Sequence, residues 1–522
     1  MVAQKQSQKP TQNFGVKLKN FIKNNYKLLL FIFFFFTINL AFAAIACQDY
    51  KTQFTSKRFI LTIIILFIIN IALCFFVYFS KRKSWPIEKI FLVVGSVLGL
   101  LYLFAIPVGR APDEPAHIWR VYSISQGGIV TETQDDIIGN NIPNNIANFS
   151  NDYTENAYTL LLDRFGEPIS EEQSFRKTIG SNPIDYTPHI IGMLIGRILH
   201  LPMLATFYLA RLIGLIFCIG IIYLCLKYIP ILKKPLFFIS CLPLTMQTFI
   251  SISYDGAIFC SAIALITFVL YSIYQPKFTI KVPGLLLLTL LCIVLTATKP
   301  VYFPLMFLLC FIPSRCVGGK KKKIFSLLAI FISTASAFLI WSLLSIVTQP
   351  GNGADTNGQI AYILANPIRY IIILIDNIIN MPILYLYRFG GLEWLDTYIN
   401  EFYIIGALIF FAFLCAEQHF VNTKFRPSKT LRLTTAISLV ASIIFIFTAM
   451  YIQWTSVGSH DIEGVQTRYL LPIALCLPLI CISSKATRKD YLRKDAIPMG
   501  YFYNFIIFLN INAISILLCA HF

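Results

Sequence analysis

Residues 88–107 read Glu-Lys-Ile-Phe-Leu-Val-Val-Gly-Ser-Val-Leu-Gly-Leu-Leu-Tyr-Leu-Phe-Ala-Ile-Pro, and residues 110–120 read Arg-Ala-Pro-Asp-Glu-Pro-Ala-His-Ile-Trp-Arg. The first stretch has the length of a bilayer crossing, about 20 apolar residues. The second sets two arginines, two carboxylates and a histidine just past its end. Together they read as a membrane helix that delivers a polar site to one face of the bilayer. Runs of similar character recur at 28–47, 59–79, 203–226, 235–252, 256–274, 283–298, 301–314, 325–347, 402–418, 433–451, 469–484 and 501–519. The 522 residues are 57% hydrophobic and 13% charged, with mean hydropathy +0.70; soluble domains are about 25% charged. The expectation is an all-α polytopic membrane protein of about 13 transmembrane helices (11–15). A soluble enzyme, a disordered chain and a disulfide-stapled secreted domain are excluded. The 13 cysteines fall mostly inside apolar runs without C-x-x-C spacing. They are expected to be small core residues, not a metal or disulfide framework.

The net charge of +18 predicts orientation rather than a nucleic-acid partner, because Lys and Arg collect in cytoplasmic loops. Lys5, Lys9, Lys17, Lys19, Lys23 and Lys27 precede the first run, which is too long for a signal-peptide core and is expected to stay as a helix. Lys81-Arg82-Lys83, Lys227/Lys233/Lys234, Lys277/Lys281, Arg315/Lys320–Lys323, Lys424/Arg426/Lys429/Arg432 and Lys485/Arg488/Lys489/Arg493/Lys494 then fall on the same side. Residues 110–186 hold 12 acidic and five basic side chains, so this segment carries −7 while the remainder carries +25. It is placed outside, and its length predicts a partly helical, functional loop. The apolar stretch 366–387, interrupted by Asp376, Asn377 and Asn380 and ending at Arg388, fits an interfacial or re-entrant helix, and 188–200 an interfacial one. Three parts are expected: 1–87, a basic N-terminus with two extra helices; 88–485, the membrane domain with outer loop 110–186; and 486–522, a basic loop and a last helix. The N-terminus is expected on the cytoplasmic side of the membrane.

The unusual polar residues gather at the outer ends of the spans. Asp113 reads as an N-cap followed by Pro115, with Gly127-Gly128 as the helix stop. Alternatively Asp113 is a carboxylate held at the membrane surface as a general base. Glu114 either balances the helix dipole or joins it, and His117 lies on the same helix face as Glu114. In Asn182-Pro-Ile-Asp185-Tyr186-Thr-Pro188-His189, Tyr186 and His189 can line a sugar or lipid-phosphate pocket. Asp255, in Ser253-Tyr254-Asp255-Gly256, is a helix cap or a site residue. Trp394 and Asp396 follow Gly390-Gly391, where a Trp suits interfacial anchoring or sugar stacking. Arg468, in Gly464-Val-Gln466-Thr-Arg468-Tyr469, touches headgroups or clamps a phosphate through its planar fork. Arg110 and Lys299 are further cations on this side. No internal repeat is visible, and no Walker loop, Rossmann fingerprint, H-E-x-x-H or G-x-S-x-G stands in convincing context.

Pro112-Asp113-Glu114-Pro115-Ala116-His117, Tyr186-Thr-Pro188-His189, Ser253-Tyr254-Asp255, Leu392-Glu-Trp394-Leu-Asp396 and Gly464-Val-Gln466-Thr-Arg468-Tyr469, in this order, resemble the DUF2142 family of bacterial polytopic membrane proteins over roughly 88–485. Thr467 stands where that family usually has Gly. The family's layout is similar to that of GT-C glycosyltransferases. The resemblance implies transfer of a sugar from a polyprenyl-phosphate donor to an envelope glycan or other acceptor on the outer face. Asp113 is then the catalytic carboxylate, with Glu114 and His117 beside it. Arg110, Lys299 and Arg468, or a bound divalent cation (Mg or Mn), would stabilise the leaving phosphate. A transporter or flippase of a lipid-linked or small substrate is the alternative, as is a non-catalytic envelope-assembly protein.

Overall fold

The computed structural model describes residues 14–49, 57–134, 137–148, 163–178, 180–345, 354–386, 390–420, 426–483 and 497–521. Lys5, Lys9, Arg388, Lys424, Lys485, Arg488, Lys489, Arg493 and Lys494, invoked above for orientation and for the end of the 366–387 segment, lie outside the described residues. Among the described residues nine helices are long and apolar enough to cross a bilayer: Asn25–Gln48, Phe59–Arg82, Ile87–Ala105, Met203–Tyr228, Asp255–Tyr274, Lys320–Leu344, Glu401–Gln418, Lys429–Gln453 and Met499–His521. The pair Thr356–Ala365 and Pro367–Asn380, bent by 108°, makes ten if it is one span. Such a bent pair is either a broken span or a re-entrant loop.

The expectation of about 13 spans counted apolar runs that prolines break. Residues 235–252 form two short helices, Lys233–Ser240 and Pro243–Ile250. Residues 283–314 form the 15-residue helix Val282–Thr296 and a 3-10 run, Pro300–Phe311, with Pro304 inside it. Residues 469–484 are a 3-10 turn, Thr467–Ile473, containing Pro472, and a six-residue helix, Cys476–Cys481. Proline lacks the donor that continues the helix, and its ring meets the preceding carbonyl. Hydropathy sums do not register either effect.

The helix Met499–His521 is enclosed by the others. Asparagines tie it in: Asn510 Nδ2 donates to Cys241 O (2.8 Å), Tyr102 donates to Asn510 Oδ1 (3.1 Å), and Asn39 Nδ2 donates to Phe508 O (3.1 Å). Polar bonds of this kind hold helices together where lipid offers no hydrophobic drive. Cys47 and Cys519 are joined in a disulfide, whereas the other eleven cysteines carry none. This corrects the expectation that all thirteen are simple core residues. The pairing spans 472 positions, and no spacing rule reaches that far.

The loop after the Ile87–Ala105 helix contains the helix Glu114–Ser125 and an antiparallel sheet of three strands, Glu132–Gln134, Ile137–Pro143 and Gln173–Lys177. The loop is partly helical as expected. The sheet was not anticipated, because Asn140 and Asn141 disrupt any alternating pattern in its central strand. The amphipathic helix Thr187–Ile198 leaves Ile191, Leu194, Ile195 and Ile198 exposed, as an interfacial helix should. The bundle has two chemically distinct ends. Glu88 pairs with Lys233 (3.6 Å) at one, and Arg110 and Asp113 lie beyond the other. The 19-residue helix between them is about 28 Å long.

Candidate functional site

The Ile87–Ala105 helix stops before Pro107, and a tight turn through Gly109 (φ 88°) leads to Pro112. Asp113 then adopts φ 63°, the left-handed region, which Asp tolerates better than most residues. This conformation decides the fates of two neighbouring carboxylates. Asp113 is the residue before the helix, yet its side chain makes no capping hydrogen bond, which corrects the cap reading. It accepts from Arg468 Nη2 at 2.5 Å instead, while Arg468 Nη1 donates to Pro112 O at 3.0 Å.

Glu114 turns inward and is wholly buried. Arg211, on the Met203–Tyr228 helix and equally buried, donates Nε to Glu114 Oε1 (2.8 Å) and Nη2 to Oε2. The backbone N–H groups of Gly109 (2.8 Å) and Ile252 (2.9 Å) complete the carboxylate's partners. The rest of the Arg211 fork donates to Ile106 O (2.7 Å) and Pro107 O (3.0 Å). A bidentate pair with both members satisfied is what a buried ion pair requires. Glu114 therefore fastens the turn to two helices, and no oxygen of it is left to face a substrate.

Asp255, the first residue of its helix, receives Lys299 Nζ at 2.6 Å and lies 3.5 Å from Arg468 Nε. Arg468 thus links Asp113 to Asp255, and Lys299 closes the group. The four side chains come from the 106–113 turn, the start of Asp255–Tyr274, the break between Val282–Thr296 and Pro300–Phe311, and the start of the Thr467–Ile473 turn. Lys299 immediately precedes Pro300, and Arg468 lies in the first turn of a segment that contains Pro472. Lys299 Nζ also stands over the rings of Tyr469 (4.3 Å) and Tyr254 (4.8 Å), positions favourable for a cation. The Asp113 side chain keeps 36% of its surface exposed while that of Arg468 keeps 9%. The cluster is accordingly a lined recess with an open aspartate at its mouth.

His117 lies beneath this cluster. Its Nδ1 shares a 2.6 Å hydrogen bond with the Tyr186 hydroxyl, and its ring meets Tyr254 edge-on. Burial lowers the His117 pKa to about 4, against the opposing pull of Asp113 and Asp255. The imidazole is therefore neutral at pH 7. Burial also pushes Tyr186 up, so both partners of this bond are uncharged. Asp185 is buried beside Thr298, whose hydroxyl donates to Oδ2. Desolvation pushes its carboxyl well above the usual range, and its Oδ1 has no hydrogen-bond partner among the described residues.

The remaining expected residues divide between two places. His189 turns away and bonds Ala210 O through Nδ1 (3.1 Å), packed so tightly that a side chain at Gly214 would strike its ring. Its role is helix packing. Arg110 pairs with Asp396 (2.6 Å) and approaches Glu393 (3.5 Å), while Trp394 Nε1 donates to Gly109 O (3.2 Å). Glu393 is buried, with φ 56°, and accepts from Thr397 (2.7 Å) and is bonded to His521 Nε2. Burial alone would raise its pKa, but His521 and Arg110 outweigh burial and lower it. This second network braces the turn that carries Asp113. The sequence reading missed Arg211, Tyr254, Thr298, Glu393 and His521 as contributors. Arg211 had a signal: a lone arginine within an apolar run is rarely idle.

Among the described residues no group of three or more His, Cys, Asp or Glu side chains could hold a metal ion. Between Asp113 and Asp255, where a divalent cation would sit, Arg468 and Lys299 already supply the positive charge. The residues described at this site do not fit a resident metal.

A many-helix membrane protein with one ionisable recess at one end of its bundle is the class that fold and site define. The chain belongs to the DUF2142 family, described as "Predicted membrane protein", whose model matches residues 97–477. That span contains Asp113, Asp255, Lys299 and Arg468, and leaves out the first two helices and the last. No curated protein and no solved structure matches the chain.

Proposed function

We propose that the chain is a membrane glycosyltransferase of GT-C type that takes its sugar from a polyprenyl-phosphate donor at the outer face. The observation that carries this reading is Arg468, which spans Asp113 and Asp255 beside Lys299. A carboxylate tied to an arginine is a poor base, and an arginine tied to a carboxylate binds phosphate weakly. A donor phosphate entering the recess resolves both: its oxygens take the Arg468 fork and the Lys299 ammonium, and Asp113 is released. The acceptor hydroxyl oxygen then attacks the anomeric carbon, and the bond from that carbon to the phosphate oxygen breaks. The hydroxyl proton passes to Asp113, and the polyprenyl phosphate leaves on the two cations. His117, neutral and held by Tyr186, positions the floor of the recess. Envelope glycan or another acceptor enters from the exposed side of Asp113.

Purified protein in liposomes, given labelled polyprenyl-phosphate sugar or the matching nucleotide sugar, tests the mechanism; transfer from the nucleotide sugar alone would refute it. Facing is tested by single cysteines near 140 and 320. The first should react with an impermeant reagent in intact cells and the second should not. A lipid flippase is the second reading, favoured by the interrupted segments 233–250 and 282–311 beside polar side chains. It predicts that a deletion strain accumulates lipid-linked intermediate on the inner leaflet, with no transfer by the purified protein.

A further inference from the structure

A cavity of about 350 Å³ lies between the helices Asn25–Gln48, Phe59–Arg82 and Met499–His521. Asn25, Lys81, Arg82 and Gly500 stand at its mouth, at the end of the bundle where Glu88 pairs with Lys233. Phe36, Asn70 and Phe508 mark its depth. Two of its walls, Asn25 to Phe36 and Asn70 to Lys81, each advance eleven residues, about 17 Å of helix. Ile71 and Phe75 line it and are 45% and 54% exposed, so it opens sideways where lipid lies. All three walls fall outside residues 97–477, the part that the family model matches. The charge at the mouth is one-sided: Lys81 and Arg82 line the cavity and no Asp or Glu does. Lys81 Nζ folds over Gly500, 3.8 Å from where a Cβ would stand. Two buried amides below the mouth are incompletely paired. Asn70, 1% exposed, accepts from Cys74 Sγ (3.6 Å) through Oδ1, but its Nδ2 has no partner among the described residues. Asn504, 2% exposed, donates Nδ2 to Gly500 O (2.7 Å), and its Oδ1 has none. Buried polar groups left unpaired are costly, and both of these line the cavity.

We infer that this cavity holds an anionic phospholipid as a fixed part of the fold. Its phosphate meets Lys81 and Arg82, as headgroups do in basic pockets between membrane helices. An ester carbonyl of its glycerol accepts from Asn70 Nδ2, and a water at the same depth donates to Asn504 Oδ1. One acyl chain lies among Phe36, Phe75 and Phe508. A zwitterionic lipid brings a cationic group of its own to the same mouth and is disfavoured there. The lipid fills the seam that joins the Asn25–Gln48 and Phe59–Arg82 helices to the enclosed helix Met499–His521. The inference does not rest on the transferase reading, because no residue of the recess takes part in it.

The test is native mass spectrometry of the full chain in detergent, titrated with phosphatidylglycerol or with phosphatidylcholine of the same acyl chains. Phosphatidylglycerol should be retained as a single adduct, bound about tenfold more tightly than phosphatidylcholine. Glycerol 3-phosphate, a headgroup without chains, should not displace it. Lys81→Gln combined with Arg82→Gln should remove the preference. At Gly500 a Cβ meets Leu28 at 3.4 Å, an ordinary contact, so Gly500→Phe should fold, lay its ring across the mouth and cut retention about tenfold. Asn70→Leu should act with opposite signs. It removes an unpaired buried amide, so melting in lipid-free detergent should stay level or rise, while lipid retention falls roughly threefold. A fall in both would make Asn70 structural and overturn its contact with the lipid. Equal retention of the two phospholipids by the wild type, displacement by glycerol 3-phosphate, full retention in Gly500→Phe, or a dimer without lipid adduct would each overturn the inference, and the wild-type measurements decide it even where a variant fails to fold.

Discussion

Asp113 and Glu114 are neighbours in the chain and opposites in the structure. Glu114 is wholly buried and meets a bidentate arginine and two backbone amides. Asp113 is one-third exposed and meets a single arginine that is shared with Asp255. The left-handed backbone at Asp113 sends the two side chains apart. The difference separates a sealed ion pair that holds the fold from one with a partly exposed carboxylate. A carboxylate with every lone pair occupied has no capacity left for chemistry, whereas one that is bonded to a single arginine and one-third exposed can accept a further partner.

The comparison breaks most visibly at Arg211. Removing one member of a buried, hydrogen-bonded pair costs about 3–5 kcal/mol. Arg211→Ala should therefore yield little monodisperse protein by size-exclusion chromatography in detergent. Glu114→Leu with Arg211→Met should recover only part, because the amides of Gly109 and Ile252 stay orphaned. Asp113→Asn should do the opposite. Thermal stability in detergent should move by less than about 1 kcal/mol, while transfer from the lipid donor falls by roughly 10²–10⁴, the range of a lost general base. If Asp113→Asn unfolded the protein, the two carboxylates would share one structural role.

Arg468 sharpens the contrast with a smaller effect. Arg468→Lys keeps the charge and loses the fork, so turnover should drop roughly tenfold, with Arg468→Ala lower still. Steady-state rates at saturating donor decide this. The mildest effect is on pH dependence. His117 has its pKa lowered to about 4 in the fold and returns to about 6.5 on unfolding. The unfolded chain thus binds more protons between these values. The stability this contributes is complete above about pH 6.5 and is lost as pH falls toward 4, by at most about 3 kcal/mol. His117→Gln should flatten the melting temperature between pH 4.5 and 6.5, and an unchanged slope would assign that dependence to other groups.

Much of the fold was legible because apolar length is a linear property of the chain. The residues of the recess were legible too: Asp113, His117, Asp255, Lys299 and Arg468 were all singled out, and the fold brings them together. What was hidden has specific causes. The resemblance ranked Asp113 ahead of Glu114, but that Glu114 turns inward follows from a backbone dihedral at Asp113 that no sequence pattern carries. Arg211 was submerged in a hydrophobic average. Pro243, Pro304 and Pro472 break runs that hydropathy counts as whole. The His521–Glu393 contact joins positions 128 apart in the chain and the cysteine pair 472, separations over which a single sequence carries no pattern.

The cysteine pair has a consequence for how the molecule is made. Cys519 is made 472 residues after Cys47, so the bond can close only after every helix between them has been made. The oxidised form is then a record of finished assembly. A chain stalled midway carries a reduced Cys47, and a completed one is a covalent ring whose two sides stay joined when a loop between them is cut.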